Sequence, residues 1–489
     1  MNESNASTLA GASQLRPLTL AVAACLGVAA VPAQAEPRLD ALRTAVADGR
    51  IVLPPGAFER VEAAMTRAPG VVAATQVVTN CDDSGPGSLR DTIGGAANND
   101  TIDLGQLACS RITLTGGEIV STQTNLAIKG PGAHRLTIDG NLGGGIFVSL
   151  GSGTLKIEGL AMENGFKYEE NGDALGGCVH AHSNVVLDRV HIRNCSAIST
   201  GNRAALGGAV WADGQVVLQH SVITGSMAKA SGWGYASGGG VYARDATSSL
   251  YSTISNNVAI SESTTPSFGG GLFFFHGGLI IGSTISGNQA ARMGGIATKG
   301  PPSPDYTLTV LNSTVSGNVA DQVGGIFANV TLNLYNSTIA FNRSHVWDTG
   351  AGYFLGAGVH LTQPGEMHST IIANNVNDGA PVQYPTADLS AKPGGGFNGS
   401  HNNVMLCIAP CPNDTTHEDP GLAPLRDNGG PTRTHVPTPG QWDVFGGTNV
   451  LNWPWEQRGP GFPRHSPGDW PEIGALQINS DLLFANGFN

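Results

Sequence analysis

Charge is scarce in this 489-residue chain: Asp, Glu, Lys and Arg make up 13% of it, about half the usual share of roughly 25%. The 25 basic residues face 37 acidic ones, and a net charge of −12 argues against a groove that tracks nucleic-acid phosphates. Beyond residue 35 no stretch approaches the roughly 20 apolar residues of a membrane helix, so no transmembrane segment is expected in the mature chain. Strand-like stretches do not alternate for long enough to build an outer-membrane barrel. Phosphate-loop, nucleophile-elbow and His-Glu-x-x-His motifs are missing, which leaves nucleotide chemistry, serine hydrolysis and zinc proteolysis without support. No Cys-x-x-Cys pair with distant histidines occurs either, so a zinc site is disfavoured.

What is abundant is glycine, 69 residues, and it recurs with a period. Two glycines, a small residue and an aliphatic come back at Val179, Val210, Val241, Leu272, Ile296, Ile326 and Val359. The steps are 31, 31, 31, 24, 30 and 33 residues. A second aliphatic returns at Ile192, Ile223, Ile254, Ile285, Val315, Ile339 and Ile371. Repeats of this size, carrying strand rather than helix signals, predict an all-β solenoid of stacked coils in which equal offsets become vertical columns. Length variation concentrates in the return arm, which puts outward loops at one corner of the middle coils. Three places after the second aliphatic stand Asn257, Asn288, Asn318, Asn342 and Asn374, expected to form a buried ladder at the inter-strand spacing of about 4.8 Å.

Residues 1–35 have the form of a secretory signal, with Arg16, an apolar run from Leu18 to Val31, and Ala33-Gln34-Ala35 as the cleavage site. Val22 to Cys25 offers a lipoprotein box as the alternative. Export gives the other six cysteines an oxidising setting, and proximity suggests Cys81–Cys109, Cys178–Cys195 and Cys407–Cys411. Residues 36–75 read as a helix-prone linker, 76–380 as the β-helix with its N-terminal cap, 381–477 as an irregular C-terminal module, and 478–489 as a tail. Ser88 should cap a short amphipathic helix lying over the open end of the solenoid.

Gly207-Gly208-Ala209-Val210 together with Ile254 to Asn257 is similar to the repeat of polymorphic outer-membrane proteins, with Ile or Val in place of the usual Phe. Asp83 to Arg90, Asp427-Asn428-Gly429-Gly430-Pro431-Thr432, Glu456 to Gly459 and Glu472 to Leu476 resemble secreted bacterial β-helix proteins of the pectin-lyase-like superfamily that carry a choice-of-anchor Q type C-terminal module. Gln441 to Phe445 departs from that module's aliphatic-Asp-Ala-Gly turn. The resemblance implies a right-handed parallel β-helix and a secreted or cell-surface location.

Strand side chains alternate, so residues one and three places after the first aliphatic point away from the coil interior. The nearer row is His180, Trp211, Tyr242 and Phe273; the farther one includes His182, Asp213 and Arg244, with Asp245 and His276 adjoining. The neighbouring loops add Tyr168, Trp233 and Tyr235. Aromatic rings beside ionisable groups suit a polysaccharide or cell-envelope glycan, with His180, Trp211, Tyr242, Phe273, Trp233 and Tyr235 as binding residues. The bland reading is that aromatic stacks merely cover the flank of a rod. Asp213, Arg244, Asp245 and His182 are the candidate catalytic residues for the alternative, a polysaccharide lyase or glycoside hydrolase. A hydrolase needs two carboxylates about 5 to 9.5 Å apart, and a lyase would use calcium with a basic residue. No other cofactor and no metal site is indicated, and the expectation is a non-catalytic binding or structural rod.

Overall fold

A computed structural model describes residues 74–262, 265–301, 306–346, 355–380, 387–438, 446–464 and 471–477. The expected signal, most of the linker and the tail lie outside the described residues. Among those residues three long parallel sheets of 12, 11 and 10 strands run the length of a β-solenoid. One coil shows the path. Val179–Ala181 lies in the 10-stranded sheet, Asn184–Asp188 in the 12-stranded sheet and His191–Arg193 in the 11-stranded sheet. An excursion through Ser196–Ser199 and Ala205–Leu206 then leads to Val210.

The columns expected from the repeat are present. Val179, Val210, Val241, Leu272, Ile296, Ile326 and Val359 are each register partners of the next. All are fully buried in one continuous core. Burying a side chain of this size contributes on the order of 1.5–3 kcal/mol, so the apolar columns drive the stacking. The glycine pairs have two separate reasons. Gly207 has φ +67°, and a Cβ there would come within 2.1 Å of the Val210 carbonyl oxygen. Gly208 lies so close to the next coil that its Cβ would stand 2.1 Å from the Gly239 oxygen.

Two hydrogen-bonded ladders pin the corners. In the expected one, Asn257 Nδ2 donates to Asn288 Oδ1 at 3.1 Å, and the pattern repeats through Asn318 and Asn342. Its last rung is Asn375 at 2.8 Å, not Asn374. Ile372, not Ile371, is the core partner of Ile339. Ile371 faces outward and packs against Ile473, so the two adjacent aliphatics divide their work between two surfaces. Every Asn passes its amide to the next coil, and the series ends on Asp388, which only accepts: Oδ1 from Asn375 and Oδ2 from Leu406 N. The second ladder is made of serines at the corner between the 12- and 11-stranded sheets, from Ser221 through Ser252, Ser283 and Ser313 to Ser337, each hydroxyl accepting the backbone N–H of the coil before.

The N-terminal end is closed by helix α1 (Leu89–Gly94), whose N-cap Ser88 accepts from Asp91 N at 3.2 Å and whose Leu89 and Ile93 enter the core. Asp83 ties this cap to the first coils through Arg90, Thr115 and Gly116. The cysteines are bonded Cys81–Cys109, Cys178–Cys195 and Cys407–Cys411.

Coiling runs beyond the boundary expected near residue 380. Leu389–Ala391, Gly396–Ser400 and Asn403–Val404 add a further strand to each long sheet. The described parts of 420–477 then fold back along the outside as a strap. Leu451, Trp453 and Trp455 pack on outward residues of the 12-stranded sheet and its corner, Leu250, Tyr251, Ile281, Leu311 and Tyr335. Polar contacts fix the register of the strap. Thr284 donates to the Arg433 carbonyl, Thr314 to Gln457 Oε1, and Asn336 Nδ2 to the Thr448 carbonyl. Within the strap Arg458 and Glu456 form an ion pair with neither side chain exposed. Such a pair offsets its own desolvation only with good geometry and additional hydrogen bonds, here from Arg458 to the Gln477 carbonyl.

Candidate functional site

The excursion corner is built on alanine. Ala197, Ala228, Ala259 and Ala290 face Ala174, Ala205 and Ala236 in one buried cluster. Side chains this small let the outgoing and returning arms close on each other as two short parallel sheets of five and three strands. Cys178–Cys195 ties the base of the first full excursion. The arms therefore stand as walls beside the 10-stranded sheet.

Those walls change the standing of the aromatic row. Trp211, Tyr242 and Phe273 do point out of the coil, but each is only 4% exposed. They pack with Ala204, Leu206, Met293 and Ala297, and Phe268 and Phe275 lie against them. Tyr242 stacks on Phe273 with ring centroids 5.2 Å apart, and Trp211 meets His180 edge-on at 4.8 Å. The expected open aromatic shelf is thus a satellite core beneath the excursion. Burial, with His182 and Lys167 nearby, lowers His180 to about 4, so it is neutral at pH 7. Burial also raises the Tyr242 hydroxyl well above the tyrosine range.

The farther row reaches solvent. Asp213 accepts from Arg244 Nη1 at 2.9 Å, and its other oxygen lies 3.8 Å from His182 Nδ1. Asp245 instead pairs with His276 Nδ1 at 2.7 Å, and the His276 ring stacks on Tyr306. The two candidate carboxylates are therefore committed to different partners, Arg244 and His276. Among the described residues no three His, Cys, Asp or Glu side chains converge in a way that could hold a metal ion.

Above this strip the loops present rings: Tyr168, Trp233 and Tyr235 are 50%, 73% and 41% exposed. Tyr168 stacks on Phe166, and its hydroxyl lies 3.3 Å from the Thr200 hydroxyl. Trp233 N donates to Asn202 Oδ1 of the preceding loop, which fixes the backbone under the indole. Tyr235 is held near Asp173 and Arg244; burial is the larger cause of its raised pKa and Asp173 the next, with Arg244 opposing. The structure thus leaves Trp233 and Tyr235 exposed, with Tyr235 within electrostatic reach of Arg244, buries Trp211, Tyr242 and Phe273, and leaves His180 half-buried.

A concavity was missed by sequence reasoning. Between the 11-stranded sheet and residues Leu425 to Arg433 of the strap lies a groove of about 650 Å³. Thr224, Thr253, Ser255, Thr284, Ser286 and Ser316 line it. Its signal was in the text as a Thr-aliphatic-Ser triplet at Thr253–Ser255, Thr284–Ser286 and Thr314–Ser316. The wall that makes it a groove comes from residues more than 100 positions later. Comparison with known proteins adds no relative: no family model, no curated protein and no solved structure matches this chain.

Proposed function

We propose that this protein is an exported rod, held at or released from a bacterial cell surface, that binds a polysaccharide or cell-envelope glycan without cleaving it. The observation that carries this reading is the exposure of three rings on the excursions, Tyr168, Trp233 and Tyr235, over a flank whose inner aromatics are packed into a solid foundation. Flat rings offer apolar faces to sugar rings, and the Arg244–Asp213 pair beside them offers donors and acceptors to hydroxyls. Export is supported by the signal-like residues 1–35 and by the pairing of all six remaining cysteines. Binding is favoured over lyase or hydrolase action because Asp213 and Asp245 are each engaged by a separate partner, Arg244 and His276. A glycan array probed with the wild type and with Trp233→Ala and Tyr235→Ala tests the reading. Binding should fall at least tenfold in each variant, with no unsaturated product and no new reducing ends released. Product formation, or binding indifferent to both rings, would refute it.

A further inference from the structure

The groove under the strap has no role in the reading above, and its chemistry differs from that of the excursion corner. Its floor is the outer face of the 11-stranded sheet, where Thr224, Ser255, Ser286 and Ser316 are successive register partners. Parallel pairing places such hydroxyls about 4.8 Å apart, in a straight row along the solenoid axis. A second row, Val222, Thr253 and Thr284, runs beside it. Part of this lattice is already engaged. Thr284 donates to the Arg433 carbonyl at 2.6 Å, and Ser316 lies 2.8 Å from His435 Nε2. His435 Nδ1 faces the Ala423 carbonyl, which can only accept, so Nδ1 carries the proton and Ser316 donates to Nε2. These bonds make the strap end of the groove rigid. Farther along, Ser255 Oγ donates to Thr224 Oγ1 at 3.1 Å, while the Thr253 and Ser286 hydroxyls have no protein partner among the described residues.

The opposite wall supplies one group of each charge. Asp427 uses one carboxylate oxygen to accept from Gly429 N, and Arg433 has no carboxylate within ion-pair distance among the described residues. Leu425, Pro431 and Val222 add limited apolar surface. The volume of about 650 Å³ falls within the roughly 300–1,000 Å³ of ligand pockets. A ligand for this site must exchange many hydroxyl hydrogen bonds at regular intervals, carry little net charge, and ask for no aromatic stacking. A nucleic acid strand fails on charge and stacking, and a peptide strand would need an open sheet edge, which the floor does not offer.

We propose that the groove is a second site, separate from the excursion corner, for a segment of neutral oligosaccharide. The sugar lies along the Thr and Ser rows. Asp427 accepts from its hydroxyls, Arg433 donates to them, and Thr253 and Ser286 complete the floor.

The test uses the full exported chain, titrated calorimetrically with cellohexaose, mannohexaose and, as the acidic counterpart, hexagalacturonate. Asp427→Ala and Arg433→Ala change exposed wall residues and leave the solenoid core untouched; Ser286→Leu fills the floor, with circular dichroism confirming its fold. At least one neutral hexasaccharide should bind, at least tenfold more weakly in all three variants and unchanged in Trp233→Ala. Binding lost in Trp233→Ala but intact in the groove variants overturns this inference and leaves the excursion-corner reading standing. The reverse pattern, the one expected, sustains the groove, and the excursion corner is then decided by the glycan array alone. Exclusive binding of hexagalacturonate, or no binding of either neutral sugar, also overturns the proposal.

Discussion

Two flanks of this solenoid carry apolar residues that point away from the core, and they are covered by different means. On the 10-stranded sheet the rings Trp211, Tyr242 and Phe273 are roofed by excursions from their own coils. At the corner of the 12-stranded sheet Leu250, Tyr251, Ile281, Leu311 and Tyr335 are roofed by Leu451 and Trp453, which arrive from the far end of the chain. Where the step shortens to 24 residues the excursion shrinks, and the next position in the row is Ala297. Outward orientation on a coil therefore does not imply access to solvent, because what matters is whether another segment pays the entropy of lying over it.

The sharpest way to break this comparison is to remove the anchor of the distant cover. Trp453→Ala should cost about 3–5 kcal/mol, and the loss should be local: limited proteolysis should release fragments from 446–477 while the solenoid resists. Trp211→Ala removes a ring of the same size from the local cover. The excursion is still held by parallel strand pairing with its neighbours, so a smaller loss of about 3 kcal/mol is expected, at the low end for such a truncation. Thermal melting should register it with no new cleavage site. Equal protease sensitivity in both variants would erase the distinction between the covers.

Acid should sharpen the same contrast by a smaller amount. His360, fully buried and with Lys392 nearby as the lesser cause, is lowered to about 4, and burial also lowers His435 at the strap. Both are neutral in the fold, so below about pH 6.5 the unfolded chain binds protons first and stability falls until the folded pKa is reached. Between pH 7 and pH 4.5 His360 alone should account for roughly 2 kcal/mol. His360→Phe, which keeps a ring over Phe327, should flatten that part of the slope in melting curves. An unchanged slope would show that the ring titrates normally.

Columns were legible in the sequence because a solenoid writes its contacts at nearly constant offsets: Val210 and Val241 announced their pairing by spacing alone. The Asn ladder was legible for the same reason, and it slipped at its last rung because Ile371 and Ile372 offered two aliphatics in succession. The serine ladder was overlooked although it has the same period, because serine is unremarkable near turns. Burial of the aromatic row could not be inferred from alternation, which tells inside from outside of a coil but not what lies above it. The groove was least legible of all. Its floor repeats locally, but its wall depends on Thr432 and Arg433 meeting Gly282 and Thr284 across about 150 positions of chain.

The strap also works as a gauge of length. It touches Gly282, Thr284, Asn312, Thr314, Asn336, Thr338 and Ser369 at fixed points along its own sequence. A solenoid ordinarily tolerates duplication or loss of a whole coil, since each layer needs only its neighbours. Here an added layer between Tyr251 and Ile371 would slide every later anchor out of step, whereas one inserted before Tyr251 would leave them aligned. Insertion or loss of a whole coil is thereby expected to be tolerated only in the N-terminal half of the chain.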